Sequence, residues 1–269
     1  MPPSVFVNLP LASIARGAPY LDLFLEQGIN PELGINAFAL DELSERWHQR
    51  MARRLREDGL RCAVHLPFMD LRPGASDPAI LAVTRERLDR AMGLALEYGA
   101  AHMVGHACFV PGMDGCREQE WLETSTSTWA GLLEGHESAP LLCLENTYET
   151  ACQPILDLLS RLPEDRAGAC LDLGHWHSFA RGCERRDLKA WLMALGPRLK
   201  HLHLHDNDGS GDQHLGLGQG SIPFDELFAT LTRSGRTPSM TLEPHTLEDY
   251  EHSSRFMTEH PDWFIGKNA

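Results

Sequence analysis

Lysine is almost missing from this chain of 269 residues: Lys189, Lys200 and Lys267 are the only three. Schiff-base chemistry therefore has little to draw on, with Lys200 the one lysine left open to it. Long apolar runs are missing too, and none approaches the ~20 residues needed to span a bilayer. The opening MPPSVFVNLPLASIARG has no basic segment followed by a long apolar one, as a secretory leader would. A cytoplasmic location, away from membranes, is the expectation. There is no C-x-x-C. The seven cysteines (Cys62, Cys108, Cys116, Cys143, Cys152, Cys170 and Cys183) are odd in number and scattered. They read as reduced, mostly buried small hydrophobes, not as a disulfide framework. Positive charge is scarce: 24 Lys and Arg against 38 Asp and Glu give a net charge of -14. Affinity for phosphate backbones comes mainly from basic side chains, so nucleic acid is not the expected partner.

What is present is a regular alternation. Short apolar or β-branched runs are each followed by a longer amphipathic stretch. Strands are expected at 5–9, 32–37, 60–67, 101–108, 140–147, 168–175, 199–206 and 238–245. Helices are expected near 18–27, 40–58, 78–98, 117–136, 152–162, 187–195, 224–234 and 247–259. Gly59, Gly99, Gly196 and Gly235 follow helical patterns, as terminating glycines do. Asp77–Pro78 reads as an N-cap followed by a first-turn proline, and Pro223 precedes the 224–234 helix. Eight such units in one chain, with no linker or low-complexity segment, point to a single (β/α)8 TIM barrel over 1–269. An open doubly wound sheet would need a glycine-rich phosphate loop after an early strand, and VFVNLPLASIARG is not one.

Barrel chemistry sits at the C-terminal ends of the strands. From the third strand on, the polar residues fall there. His65 closes CAVHLP, His106 comes late in MVGHAC, and Glu145 ends LCLE. Asp172 and His175 close CLDLGH, His203 lies late in HLHLHD, and Glu243 follows MTL. Asp212 and His214 occupy the loop after the seventh strand. Period-two alternation places His201, His203 and His205 on one face, with His201 deeper in the barrel and expected to be structural. Converging His, Asp and Glu without a Ser or Cys nucleophile motif imply a divalent metal: Zn, Mn, Co or Fe. An oxygen-only Mg or Ca cage would not need the imidazoles.

VHLP, GHACF, LENT, LDLGHWH, HLHLHDNDGSGDQHLGLGQGSI and TLEPH together resemble the xylose isomerase-like TIM-barrel superfamily. That group contains sugar isomerases and epimerases and endonuclease IV. The resemblance runs from the third strand to the eighth. It implies one divalent ion held by Glu145, Asp172, His203 and Glu243, with His175 of the D-x-x-H motif contacting substrate oxygens. It also implies, on the endonuclease IV pattern, a larger site. There His65, His106, His175, Asp212 and His214 join the four, for one to three ions in all. No arginine occurs between Arg198 and Arg233, where ketose epimerases usually carry one. The loops PFMDLRPGASD and FVPGMDGCREQE lack the basic character of a DNA grip.

Two enzymatic readings follow. In the first, the chain isomerises or epimerises a sugar or sugar phosphate, with Glu145 and Glu243 moving the proton. In the second, it is a multinuclear zinc hydrolase acting on a phosphodiester or related bond. A barrel that only binds would not need to keep every ligand. Of the remaining features, GLGQG (216–220) reads as a tight turn, and ERWHQRMARRLRED (45–58) as a solvated helix face. Trp176 and Phe109 suit either the core or a substrate wall. His102 and His177 carry no assigned role, and His245 could support Glu243. A homo-oligomer is compatible with the sequence.

Overall fold

The computed structural model describes residues 4–114 and 117–264, so Cys116 and Lys267 lie outside the described residues. Eight parallel strands close in chain order: β1 Val5–Pro10, β2 Pro31–Gly34, β3 Ala63–His65, β4 His102–His106, β5 Leu141–Glu145, β6 Ala167–Asp172, β7 Leu199–Leu204 and β8 Ser239–Leu242. The ring shuts where Val5–Val7 of β1 pair with Met240–Leu242 of β8. Every expected strand is present, and most stop earlier than expected. β6 is the informative case. The sequence pattern carries it to 175, but it ends at Asp172, whose Oδ1 accepts the His175 amide at 2.6 Å and starts the helical turn Leu173–His177. Aspartate at an N-cap position stops the strand, and His175 becomes a helix residue.

The helix expected over 40–58 is two helices, Ala37–Asp41 and Glu45–Glu57. Each starts on its own cap. Asn36 Oδ1 accepts from Ala39 at 3.0 Å, and Ser44 Oγ accepts from Trp47 at 3.2 Å. The charged helix Glu45–Glu57 buries only His48, Ala52 and Leu55, so its arginines are a solvated face as expected. Asp77 Oδ1 caps Pro78–Tyr98 by accepting from Ala79 at 2.8 Å.

Alternation splits each strand between two environments. Outward residues such as Met103, Leu142, Leu144, Leu171, Leu202 and Leu204 are buried under the helices in the main core. The lumen is different. Val104, Cys143 and Cys170 form a small apolar plug, while Glu32, His102, His201, His203 and Thr241 are also buried there. Burial pushes the Cys143 thiol up to about 12, in keeping with its reading as a reduced hydrophobe. Phe109 and Trp176 belong to the core, Phe109 against Trp121 and Trp176 tied to Asp187 at 3.0 Å. Lys200 sits second in β7, at the foot of the strand and on the face opposite the histidines. That placement removes it as a Schiff-base residue for the mouth. Among the described residues, no helix is long and apolar enough to cross a membrane.

Candidate active site

Four strand ends deliver the four residues expected to hold one ion. Glu145 ends β5, Asp172 ends β6, His203 is the penultimate residue of β7, and Glu243 follows β8. His203 Nδ1 lies 3.4 Å from Glu145 Oε2, 3.2 Å from Glu243 Oε1 and 3.8 Å from Asp172 Oδ2. Glu145, Asp172 and His203 are almost wholly buried, and Glu243 nearly so.

The other five expected residues surround the same point. Glu145 is the hub: His65 Nε2 is 3.1 Å from its Oε2, His106 Nε2 3.4 Å from the same oxygen, and His175 Nδ1 3.2 Å from its Oε1. Asp212 Oδ2 lies 3.4 Å from His175 Nε2 and 3.1 Å from His214 Nε2. All nine sequence-derived positions therefore converge at one end of the barrel.

Local hydrogen bonds aim these rings. His65 Nδ1 donates to the Leu66 carbonyl at 2.9 Å, which turns Nε2 toward Glu145. His175 Nδ1 donates to the Asn146 carbonyl at 2.9 Å. His214 has φ 51, a left-handed value uncommon for histidine, and its Nδ1 donates to the Glu243 carbonyl at 2.8 Å. That bond ties the loop after β7 to the end of β8. Asn146, which the sequence reading passed over, clamps two strand ends: its Oδ1 accepts from the Asp172 amide at 2.8 Å and its Nδ2 donates to the Asp172 carbonyl at 3.1 Å.

Burial and opposite charges in contact set the electrostatics of the mouth. Burial opposes ionisation of Glu145, yet the charges of His106 and His203 hold it well below the usual carboxylate range. Burial likewise opposes Asp172, and His175 and His205 bring it down to about 2. Burial raises Glu243, assisted by the neighbouring Asp172 and Glu145 charges, against the pull of His203. Burial opposes the charged form of His214 as well, but its contacts with Asp212 and Glu243 outweigh this and push it up to about 9. Asp172 Oδ2, Asp212 Oδ1 and both ring nitrogens of His203 and of His205 are buried without a hydrogen-bond partner. Stranded polar atoms in one place are costly. A divalent cation is the partner this donor set fits, since mixed imidazole and carboxylate is the ligand chemistry of Zn, Mn, Co or Fe.

Further residues belong to the mouth. His205 is fully buried, with Nε2 3.3 Å from Asp172 Oδ1 and 3.6 Å from Asp212 Oδ1. It stacks on His214 at 3.8 Å, and His214 stacks on His245 at 3.8 Å. Phe68 lies against His106, and Phe179 stacks on His175 at 5.4 Å beside Tyr148. These aromatics, not Phe109 and Trp176, wall the site. The alternation in HLHLH marked His205; nothing periodic marked Phe68 or Phe179. The GLGQG turn is closed to phosphate. Asp206 takes the amides of Gly218 at 3.0 Å, Ile222 at 3.1 Å and Asn207 at 2.9 Å. His177 pairs with Ser221 at 2.9 Å.

Residues 28–260 match the family model for the xylose isomerase-like TIM barrel. The chain belongs to the xylose isomerase-like TIM-barrel family. Among solved structures, a D-tagatose 3-epimerase-like protein superposes with TM-score 0.79 at 22% identity, over 99% of this chain and 100% of that one. The TTHB071 protein from Thermus thermophilus, from a crystal soaked with ZnCl2, gives TM-score 0.77 at 26% identity, over 95% and 97%. By sequence, the uncharacterized protein MJ1311 of Methanocaldococcus jannaschii is 26% identical over 204 residues, 73% of this chain and 69% of that one.

Proposed function

We propose that the chain is a divalent-metal-dependent isomerase or epimerase of a sugar or sugar phosphate. The observation that carries this reading is the pair Glu145 and Glu243. Their carboxylates lie 3.4 Å and 3.2 Å from the same nitrogen, His203 Nδ1, among buried atoms that lack partners. Structural likeness to a D-psicose 3-epimerase, an L-ribulose 3-epimerase and a D-tagatose 3-epimerase-like protein supports it.

Glu145, Asp172, His203 and Glu243 would hold the ion. When bound, such an ion supplies Lewis acidity to adjacent substrate oxygens. The chain's own groups do the rest. Burial and the surrounding charges move the two carboxyls in opposite directions, Glu145 down and Glu243 up. Two carboxylates pushed apart in this way suit removal of a proton by one and return by the other. His175 orients a substrate oxygen at the edge of the site. Phe68, Phe179 and Tyr148 give apolar faces to the carbon skeleton and exclude water.

The direct test is solvent proton exchange. Wild-type protein with Mn2+ or Zn2+ should exchange a carbon-bound proton of one member of a broad ketose and ketose-phosphate panel in D2O. Glu243→Gln should lose that exchange and keep its metal. If wild type exchanges no proton on any sugar of the panel, the isomerase reading fails. A second reading, a multinuclear hydrolase, draws on one specific observation: His65, His106, Asp212 and His214 are more ligands than one ion needs. Cleavage of a model phosphodiester that disappears in both His106→Ala and His214→Ala would favour it.

A further inference from the structure

Beneath the mouth, the lumen holds a second polar layer built around Glu32 of β2. Glu32 is 1% exposed. Its Oε2 accepts a hydrogen bond from Thr241 Oγ1 at 2.8 Å and lies 3.3 Å from His201 Nε2 and 3.7 Å from His102 Nε2. Its Oε1 lies 3.1 Å from His203 Nε2. Every neighbour at these distances is a donor or can be one.

The protons can be placed in one consistent order. Thr241 gives its hydroxyl proton to Glu32, so its oxygen is free to accept from His201 Nε2 at 2.9 Å. Ser239 Oγ lies 2.7 Å from His201 Nδ1 and 3.3 Å from the Lys200 carbonyl, and in this order its single proton goes to the nearer acceptor, His201. The chain Ser239, His201, Thr241 thus runs in one direction and ends on the carboxylate. His203 Nε2 meets that carboxylate from the other side as an ion-pair contact at 3.1 Å, without hydrogen-bond alignment. An ionised carboxylate only accepts, and Nδ1 faces carboxylates too, Glu243 at 3.2 Å and Glu145 at 3.4 Å; with an ion among those groups, the hydrogen belongs on Nε2, against Glu32. A neutral imidazole has one N–H and one lone pair, and fixing the first fixes the second.

We propose that Glu32 is a positioning residue. It holds the proton of His203 on Nε2 and so presents the Nδ1 lone pair to the point shared by Glu145, Asp172 and Glu243. The inference rests on the metal reading given above and adds to it the side chain that decides which face of His203 binds. A carboxylate behind a ligating imidazole fixes its tautomer and raises its basicity. A purely structural Glu32, tying β2 to β7 and β8, would alter stability and leave ion affinity alone.

The experiment uses full-length protein with 15N-labelled histidine, loaded with 113Cd2+. Wild type should show 113Cd–15N coupling at His203 Nδ1 and a protonated Nε2; coupling at Nε2 overturns the proposal. Glu32→Gln should bind Cd2+ and Zn2+ about 10- to 100-fold more weakly by competition titration. Wild-type affinity in a folded Glu32→Gln protein also overturns it. Should that variant not fold, Thr241→Val decides, because it keeps Glu32 and removes the hydroxyl that anchors it. A weakened affinity supports the proposal and an unchanged one sinks it. Failure of wild type to take up either ion would instead remove the metal reading. In that event the His203 Nε2 resonance still answers for Glu32: it moves in Glu32→Gln if the contact governs the ring, and stays if it does not.

Discussion

The ring of Phe68 lies flat over that of His106, with centroids 4.4 Å apart and planes at 19°. Phe68 is 44% exposed, so its other face is open to whatever enters the mouth. Phe68→Ala removes little buried surface and should leave the melting temperature within a few degrees of wild type. Removing an aromatic contact of this kind costs about 0.5–1.5 kcal/mol, or roughly two- to tenfold. The expected outcome in steady-state kinetics is a rise in KM of that size with kcat nearly constant. A collapse of kcat would place the ring in the chemistry itself.

His214→Ala separates the two ligand sets. It breaks the 3.1 Å contact with Asp212 and the bond to the Glu243 carbonyl, and leaves Glu145, Asp172 and His203 in place. If one ion carries the reaction, metal analysis should still find about one ion per chain. Proton exchange should then fall by less than about tenfold. Joint loss of a second ion and of all turnover would point to the multinuclear reading.

Glu149 should leave a signature in stability against pH. It is fully buried; its Oε1 takes the Phe109 amide at 2.8 Å and its Oε2 takes the Thr147 amide at 2.6 Å. Burial nonetheless outweighs those bonds and pushes its pKa from 4.5 to about 7. The folded chain therefore holds this proton more tightly than the unfolded one. Its contribution to stability is whole below about pH 4.5 and declines as pH rises to about 7, by at most ~1.4 kcal/mol per pH unit. Denaturation curves of wild type and Glu149→Gln, compared between pH 4 and 8 in chelator, should differ by that slope. A constant difference across the range would contradict it.

Gly174 is a matter of space. A Cβ there would collide with Cε1 of His205, whose ring fills the room beside the D-x-x-H turn. Gly174→Ala should destabilise the chain by about 1–3 kcal/mol, as overpacking does. Adding His205→Ala should restore part of the loss, and a double-mutant cycle should give a coupling clearly different from zero. Independent effects would show that the ring moves aside freely.

The barrel and the strand-end residues of its mouth could be read from the sequence because both rest on periodicity, while Asp212 and His214, in a loop, rested on the family resemblance. Eight apolar runs marked the strands, and polar residues at their ends marked the site. His175 was expected at a strand end and lies in a helical turn instead, because Asp172 caps a helix there. Glu32 was missed. PELG is too short to show alternation, and an acid in an early strand looks like a surface residue until the ring closes. Thr241 lies 209 residues away in sequence. Phe68 and Phe179 sit in loops, where no repeat announces which way a ring turns. Phe109 and Trp176, adjacent to mouth residues in sequence, proved to face the core.

The polar lumen has a consequence for anyone reshaping this protein. In a barrel plugged with aliphatic side chains, interior positions can be exchanged for other aliphatics of similar volume with little effect on the rim. Here positions 32, 201 and 241 are wired to the underside of the mouth. A library that stiffens the barrel by filling those positions with leucine or valine would gain hydrophobic contacts and cut the support of His203 in the same stroke. Variation that spares the mouth has to come from the outer face of the strands, under the helices.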